Sequence, residues 1–124
     1  MAGLNSVQLP DFDRLLTEQY RSLMNRVQEA LEHSGNPDYC MVARRVAALG
    51  ERSAFAVLAE LGSPELDHHM VELRHILHAK RRIEQGTYGV CEVCGDALAV
   101  PWLHSHLTAA RCTACDKLSG AMTS

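Results

Sequence analysis

The sequence contains no run of about 18 apolar residues, so no segment is expected to cross a membrane. It also lacks the charged start, apolar stretch and small-residue cleavage site of a secretory leader. Positive charge is not in excess: 12 Lys+Arg stand against 15 Asp+Glu, for a formal charge of −3 with neutral histidines. Such a chain has no basic footprint for gripping duplex DNA by its phosphates. No internal repeat, low-complexity tract, Gly-rich phosphate loop or nucleophile–base pair is present, which argues against an enzyme. The 124 residues amount to about one domain. These absences lead to the expectation of a cytoplasmic protein that neither spans a membrane nor binds DNA directly.

Five cysteines are present, an odd number in a chain without an export signal. In a reducing cytosol that pattern favours metal ligands over a disulfide framework. Four of them form two C-x2-C pairs, Cys91/Cys94 and Cys112/Cys115, with 17 residues between Cys94 and Cys112. A two-residue gap lets the chain turn tightly enough for both sulfurs of a pair to face one ion, and Gly95 relieves crowding in the first turn. Four soft thiolates satisfy tetrahedral zinc and leave no open position for water, so the expected zinc is structural. The competing reading is two redox-active dithiols or two disulfides, without a thioredoxin-like pattern to support them. His104 and His106 lie between the pairs as rival ligands. The segment has few large apolar residues, chiefly Val90, Leu98, Val100, Trp102, Leu103 and Leu107, so its folding is expected to need the metal.

The rest of the chain reads as helix. Phe12, Leu16, Tyr20, Leu23, Val27 and Leu31 recur every three or four residues and predict an amphipathic helix over 11–33. Ser34-Gly35-Asn36-Pro37 stops it. Residues 38–61 carry two apolar stripes, Val42/Val46/Leu49 and Ala54/Leu58/Leu61, with Gly50 where one gives way to the other. The helix either breaks at Gly50 or continues with partners on two sides. Ser63 is placed to cap and Pro64 to open a third helix over 64–85. Its apolar stripe is Leu66, Met70, Leu73, Leu77 and Lys80, flanked by Ile76 and Ile83, and Gly86 is the expected left-handed terminator.

Residues 82–115 resemble the DksA/TraR family of bacterial transcription factors. The resemblance is carried by Arg82-Ile83-Glu84-Gln85-Gly86-Thr87-Tyr88-Gly89-Val90-Cys91-Glu92-Val93-Cys94-Gly95, then by Leu98, Leu103, Thr108-Ala109 and the Cys112/Cys115 pair. It is firm over about 65–118 and architectural before that. It implies a helical hairpin attached to a four-cysteine zinc finger, which enters the secondary channel of RNA polymerase and alters initiation, with the alarmone ppGpp as a candidate ligand. Acidic residues at the hairpin tip carry much of that effect in the family. Here Gly50-Glu51-Arg52-Ser53-Ala54 offers one carboxylate where the best-known members have two. Trp102 replaces a common Arg and Leu107 a common Pro, as in a divergent member.

Two architectures follow for a mainly α chain. With a tip at Gly50, arms of 39 and 36 residues reach back to Asp11 and on to Gly86, and both are interrupted about 20 Å from the tip, at Pro37 and Pro64. Alternatively 11–33, 38–61 and 64–85 form an up-down-up bundle of three helices. In either case the expected layout is a tail at 1–10, a helical hairpin or bundle at 11–86, a small four-cysteine zinc finger at 87–118 and a tail at 119–124. The candidate metal ligands are Cys91, Cys94, Cys112 and Cys115, and the candidate contacts for a polymerase or other partner are Glu51, Arg52, Lys80, Arg81 and Arg82. A zinc-stabilised adaptor for some other protein is the alternative function. His68, His75 and His78 are candidates for a second metal site or pH sensor, set against a solvated helix face. Cys40 is expected to pack as a small apolar residue.

Overall fold

The computed structural model describes residues 8–115. Of the expected tail at 1–10, residues 1–7 lie outside the described residues, as do the expected tail at 119–124 and the end of the expected finger at 116–118, while residues 8–10 belong to the first helix. The chain is mainly helical, with a four-cysteine cluster towards its C-terminal end. The helices are α1 (Gln8–Glu32), α2 (Pro37–Ala47), α3 (Glu51–Leu61), α4 (Asp67–Gln85) and α5 (Val100–Ser105), with a 3₁₀ turn at Pro64–Leu66 before α4. Among the described residues no strand forms; one antiparallel bridge joins Val90 and Ala97.

The chain divides into two compact units, one of Thr17–Leu77 and one of the residues up to Leu16 together with those from His78 onward. The division falls within α1 and within α4.

In the unit Thr17–Leu77, α1 buries the residues its periodicity marks, Tyr20, Leu23, Val27 and Leu31, and adds Met24. The stop at 34–37 is also a start. Gly35 turns the chain at φ 76, the Asn36 side chain accepts from the Asp38 amide at 2.9 Å, and Pro37 opens α2. Proline suits this position because the first helical amides have no partner within the helix. Cys40 Sγ lies 3.7 Å from the Glu32 carbonyl, and Tyr20 donates to the Glu51 carbonyl at 3.1 Å. These contacts, 8 and 31 residues apart in sequence, place the first turn of α2 beside the end of α1 and the start of α3 beside the middle of α1. Cys40 itself is half-buried, as a small apolar residue can be.

The segment 38–61 is not one helix. α2 ends at Ala47, and Gly50 is the N-cap of α3 without a side-chain cap. The stripe change at Gly50 marks a real break, because α2 buries Ala43 and Val46 while α3 buries Ala54 and Leu58. Of the two readings of this segment the break holds: α2 and α3 are separate helices, so the helical part carries one helix more than the three-helix count, and the Glu51 carbonyl is bonded to the middle of α1.

Gly62 ends α3 at φ 59, its amide reaching the Leu58 carbonyl. Ser63 is buried and makes no side-chain cap, so the expected capping role is not met. The chain makes the 3₁₀ turn first, and α4 then starts at Asp67. The stripe on this segment is shifted from the expected one. Leu66, Leu73, Ile76, Ala79 and Arg82 are buried, while Met70, Leu77 and Lys80 are half-buried.

In the other unit, α1 begins three residues before the expected Asp11, with Pro10 accommodated in the first turn. Phe12 and Leu16 are buried there. The Phe12 ring lies 5.6 Å from Tyr88 and 4.7 Å from His104.

Two glycines give a paired test of these junctions. Gly62→Ala places a Cβ on left-handed backbone and is expected to cost about 1 kcal/mol. Gly50→Ser supplies the missing cap at an open position with φ −68, and is expected to add a few tenths of a kcal/mol. Thermal unfolding followed by far-UV circular dichroism reads both, and shifts of the same sign contradict the assignment.

Candidate metal centre

The site begins where α4 ends. Gly86 adopts φ 77; its amide donates to the Ile83 carbonyl at 3.2 Å and the Thr87 amide to the Arg82 carbonyl at 2.8 Å. This pair of bonds is a Schellman termination, which needs the left-handed residue that Gly86 supplies. The Arg82 side chain then bridges the turn, donating to the Thr87 carbonyl at 2.7 Å and also to the Val90 carbonyl.

Beyond the helix the chain folds into a short loop held by Cys91 N to Asp96 O (2.8 Å), Gly95 N to Cys91 O (3.0 Å) and Leu98 N to Gly89 O (2.8 Å). Gly89 and Gly95 take φ 86 and 81, left-handed values that a side chain would strain. The second pair arrives through the Glu92 amide, which donates to the Ala110 carbonyl at 2.8 Å. The Glu92 carboxylate accepts from Arg111 Nε at 3.0 Å and lies 3.3 Å from His78 Nε2. One residue thus ties both cysteine pairs together and connects them to α4. Burial opposes the Glu92 charge, but the bonds from Arg111 and His78 outweigh it and hold the carboxyl below its ordinary value.

The outcome is convergence of the four expected ligands. The Sγ atoms of Cys91, Cys94, Cys112 and Cys115 all lie within 4.8 Å of one another, and those of Cys94 and Cys112 are 3.7 Å apart. A tetrahedron with metal–sulfur bonds of about 2.3 Å has sulfurs about 3.8 Å apart, so the set fits a single ion. Backbone N–H groups of Cys94 and Cys112 aim at the Cys91 sulfur and lower its pKa to about 6. The Asp96 amide favours a Cys94 thiolate, but neighbouring sulfurs, Cys91 first, and burial push that thiol up. The Cys112 sulfur, with burial, pushes Cys115 up to about 12. Without a cation, crowded sulfurs compete to keep protons; a cation placed among them takes the place of those protons.

No family model matches this chain, and comparison with curated proteins found no match.

The remaining candidates are distributed as follows. Among the described residues the ligand group consists of cysteines alone. His104 lies against Phe12, and His106 stacks on Trp102 with ring centroids 3.7 Å apart. His78 pairs with Glu92, and His68 lies 3.5 Å from Glu72, so the histidines of α4 do not converge. Glu51 and Arg52 open α3, half-buried and exposed respectively. Lys80 is half-buried and Arg81 exposed on α4. Arg82, expected as a partner contact, is instead buried, because its guanidinium is used to fasten the turn into the loop.

Sequence reasoning missed the Glu92–Arg111 pair, although opposite charges directly after Cys91 and directly before Cys112 were a usable signal. It also gave no structural role to Tyr88, which is 2% exposed and donates to the Leu107 carbonyl at 2.7 Å. Burial, moderated by the Arg82 charge, raises the Tyr88 pKa to about 12. The folded state therefore holds the phenol proton more tightly than the unfolded chain does. That contribution is complete below pH about 10, the unfolded value, and is lost as pH rises through about 12. Tyr88→Phe is expected to cost about 0.5–1.5 kcal/mol at neutral pH. It should also remove one late tyrosinate transition from an ultraviolet pH titration of the folded protein. A titration identical to that of the native chain contradicts the placement of Tyr88.

Proposed function

We propose that this chain is a cytoplasmic regulator of the DksA/TraR kind, which holds one structural zinc ion and acts by binding RNA polymerase, at its secondary channel, rather than DNA. The reading rests on one observation. Arg82, Gly86, Tyr88, Gly89 and Cys91, which carry the sequence resemblance, are also the residues whose bonds build the four-cysteine loop. A motif whose members share one construction task is a stronger guide than the same residues scattered. Four thiolates close the coordination sphere, so the zinc serves architecture and no catalytic role is assigned. A net charge of −3 suits a protein partner better than nucleic-acid phosphates. Lys80 and Arg81 remain as the cationic contacts for an acidic polymerase rim or for ppGpp, since Arg82 is committed internally.

A second reading is favoured by the position of Glu51. Its carbonyl is bound by Tyr20 and its side chain is half-buried, which fits poorly with an acidic tip as the working end. In that case the chain is a zinc-stabilised helical adaptor without tip activity.

Binding of the zinc-loaded chain to purified core polymerase, paired with promoter transcription in vitro, tests the first reading. Micromolar or tighter binding is expected, and Glu51→Gln with Arg52→Ala should weaken it by about tenfold, or about 1.4 kcal/mol. Binding that survives both substitutions unchanged supports the adaptor reading. No binding in zinc-replete buffer at micromolar concentration contradicts the polymerase reading.

A further inference from the structure

We infer that Arg82 is the positioning residue and buried counter-charge of the four-cysteine metal site. The inference rests on the reading that this site holds zinc, and it concerns a residue that sequence alone marks as a surface contact.

Arg82 is 5% exposed. A guanidinium does not lose its charge on burial, so the fold must compensate it or bear a large desolvation cost. The acceptors that the structure provides are the Thr87 and Val90 carbonyls, both uncharged. Nη1 is buried and has no hydrogen-bond partner among the described residues. The carboxylate that follows Cys91, Glu92, is bonded by Arg111 and lies against His78. Among the described residues Arg82 is therefore bonded to carbonyls and paired with no carboxylate.

The missing negative charge has a natural source. A divalent ion bound by four thiolates carries a net negative charge, spread over the sulfurs. The Val90 carbonyl that Arg82 holds belongs to the peptide leading directly into Cys91. The main chain of Arg82 meanwhile accepts the Thr87 and Tyr88 amides, at 2.8 and 3.2 Å. The same residue thus ends α4, fixes the approach to the first ligand and brings a buried positive charge within one peptide unit of it. Groups placed around a metal site in this way set the orientation and basicity of its ligands.

Three measurements on the full-length chain test this: zinc affinity by competition with a chromophoric chelator, the visible spectrum of the cobalt-substituted protein, and thermal stability of the metal-free chain. Arg82→Met should weaken zinc binding by about 10–100-fold. It should keep a tetrahedral cobalt spectrum and the helical content of the native chain. Arg82→Lys keeps the charge but cannot bridge two carbonyls, and should fall between native and Arg82→Met. A purely structural role would weaken zinc binding equally in Arg82→Met and Arg82→Lys, since neither side chain bridges the two carbonyls, and that result overturns the inference. If Arg82→Met does not fold, Arg82→Lys decides: weakened zinc binding supports the inference and native affinity overturns it. A native chain that takes up no zinc overturns the site reading and this inference together. A native chain that binds zinc, with Arg82→Met its equal, overturns this inference alone.

Discussion

Four sulfurs brought within 4.8 Å of one another are the constraint on which the C-terminal part of the molecule depends. Few large side chains between Gly86 and Cys115 are buried, chiefly Tyr88, Leu98, Leu103 and Leu107. A segment this short buries too little apolar surface to offset the entropy of ordering its loops. Sulfur crowding without a cation works against the fold, because adjacent thiols resist giving up their protons. A bound ion reverses the sign of that term, so metal binding and folding of this segment are one equilibrium.

The surrounding bonds divide the work. Gly86 stops α4, and the Arg82 side chain fastens the turn to the segment entering Cys91. Glu92 joins the first cysteine pair to the second through both its amide and its carboxylate. Tyr88 reaches across to Leu107 at the far side of the loop. Arg82, Gly86, Tyr88 and Glu92 all lie within the short 82–95 stretch, so these bonds radiate from one segment.

Much of this is legible in the sequence because it depends on local pattern. The C-x2-C spacing fixes which sulfurs can share an ion, and Gly86 and Gly62 stop helices by a backbone conformation that other residues adopt at a cost. The apolar face of α1 follows from a period of three and four. Arg82 is different, since a cation at a helix C-terminus is as favourable exposed as buried, and only the path of the following loop decides. The Gly50 region is likewise set by a distant contact. Two stripes flanking a glycine are compatible with a break or with one helix partnered on both sides; the chain breaks there, and the Tyr20–Glu51 bond holds the start of α3 to α1. Ser63 shows the reverse error: its side chain is a good cap by type, but the chain enters a 3₁₀ turn and leaves it buried.

The most direct test of the coupling between metal and fold is amide hydrogen exchange before and after chelation. The account predicts that the amides of Cys91, Glu92, Gly95 and Leu98 lose protection when the metal is removed, while those of α2 and α3 keep theirs. Unchanged protection of the loop amides in chelator would contradict it, because the four-cysteine segment would then hold its structure without an ion.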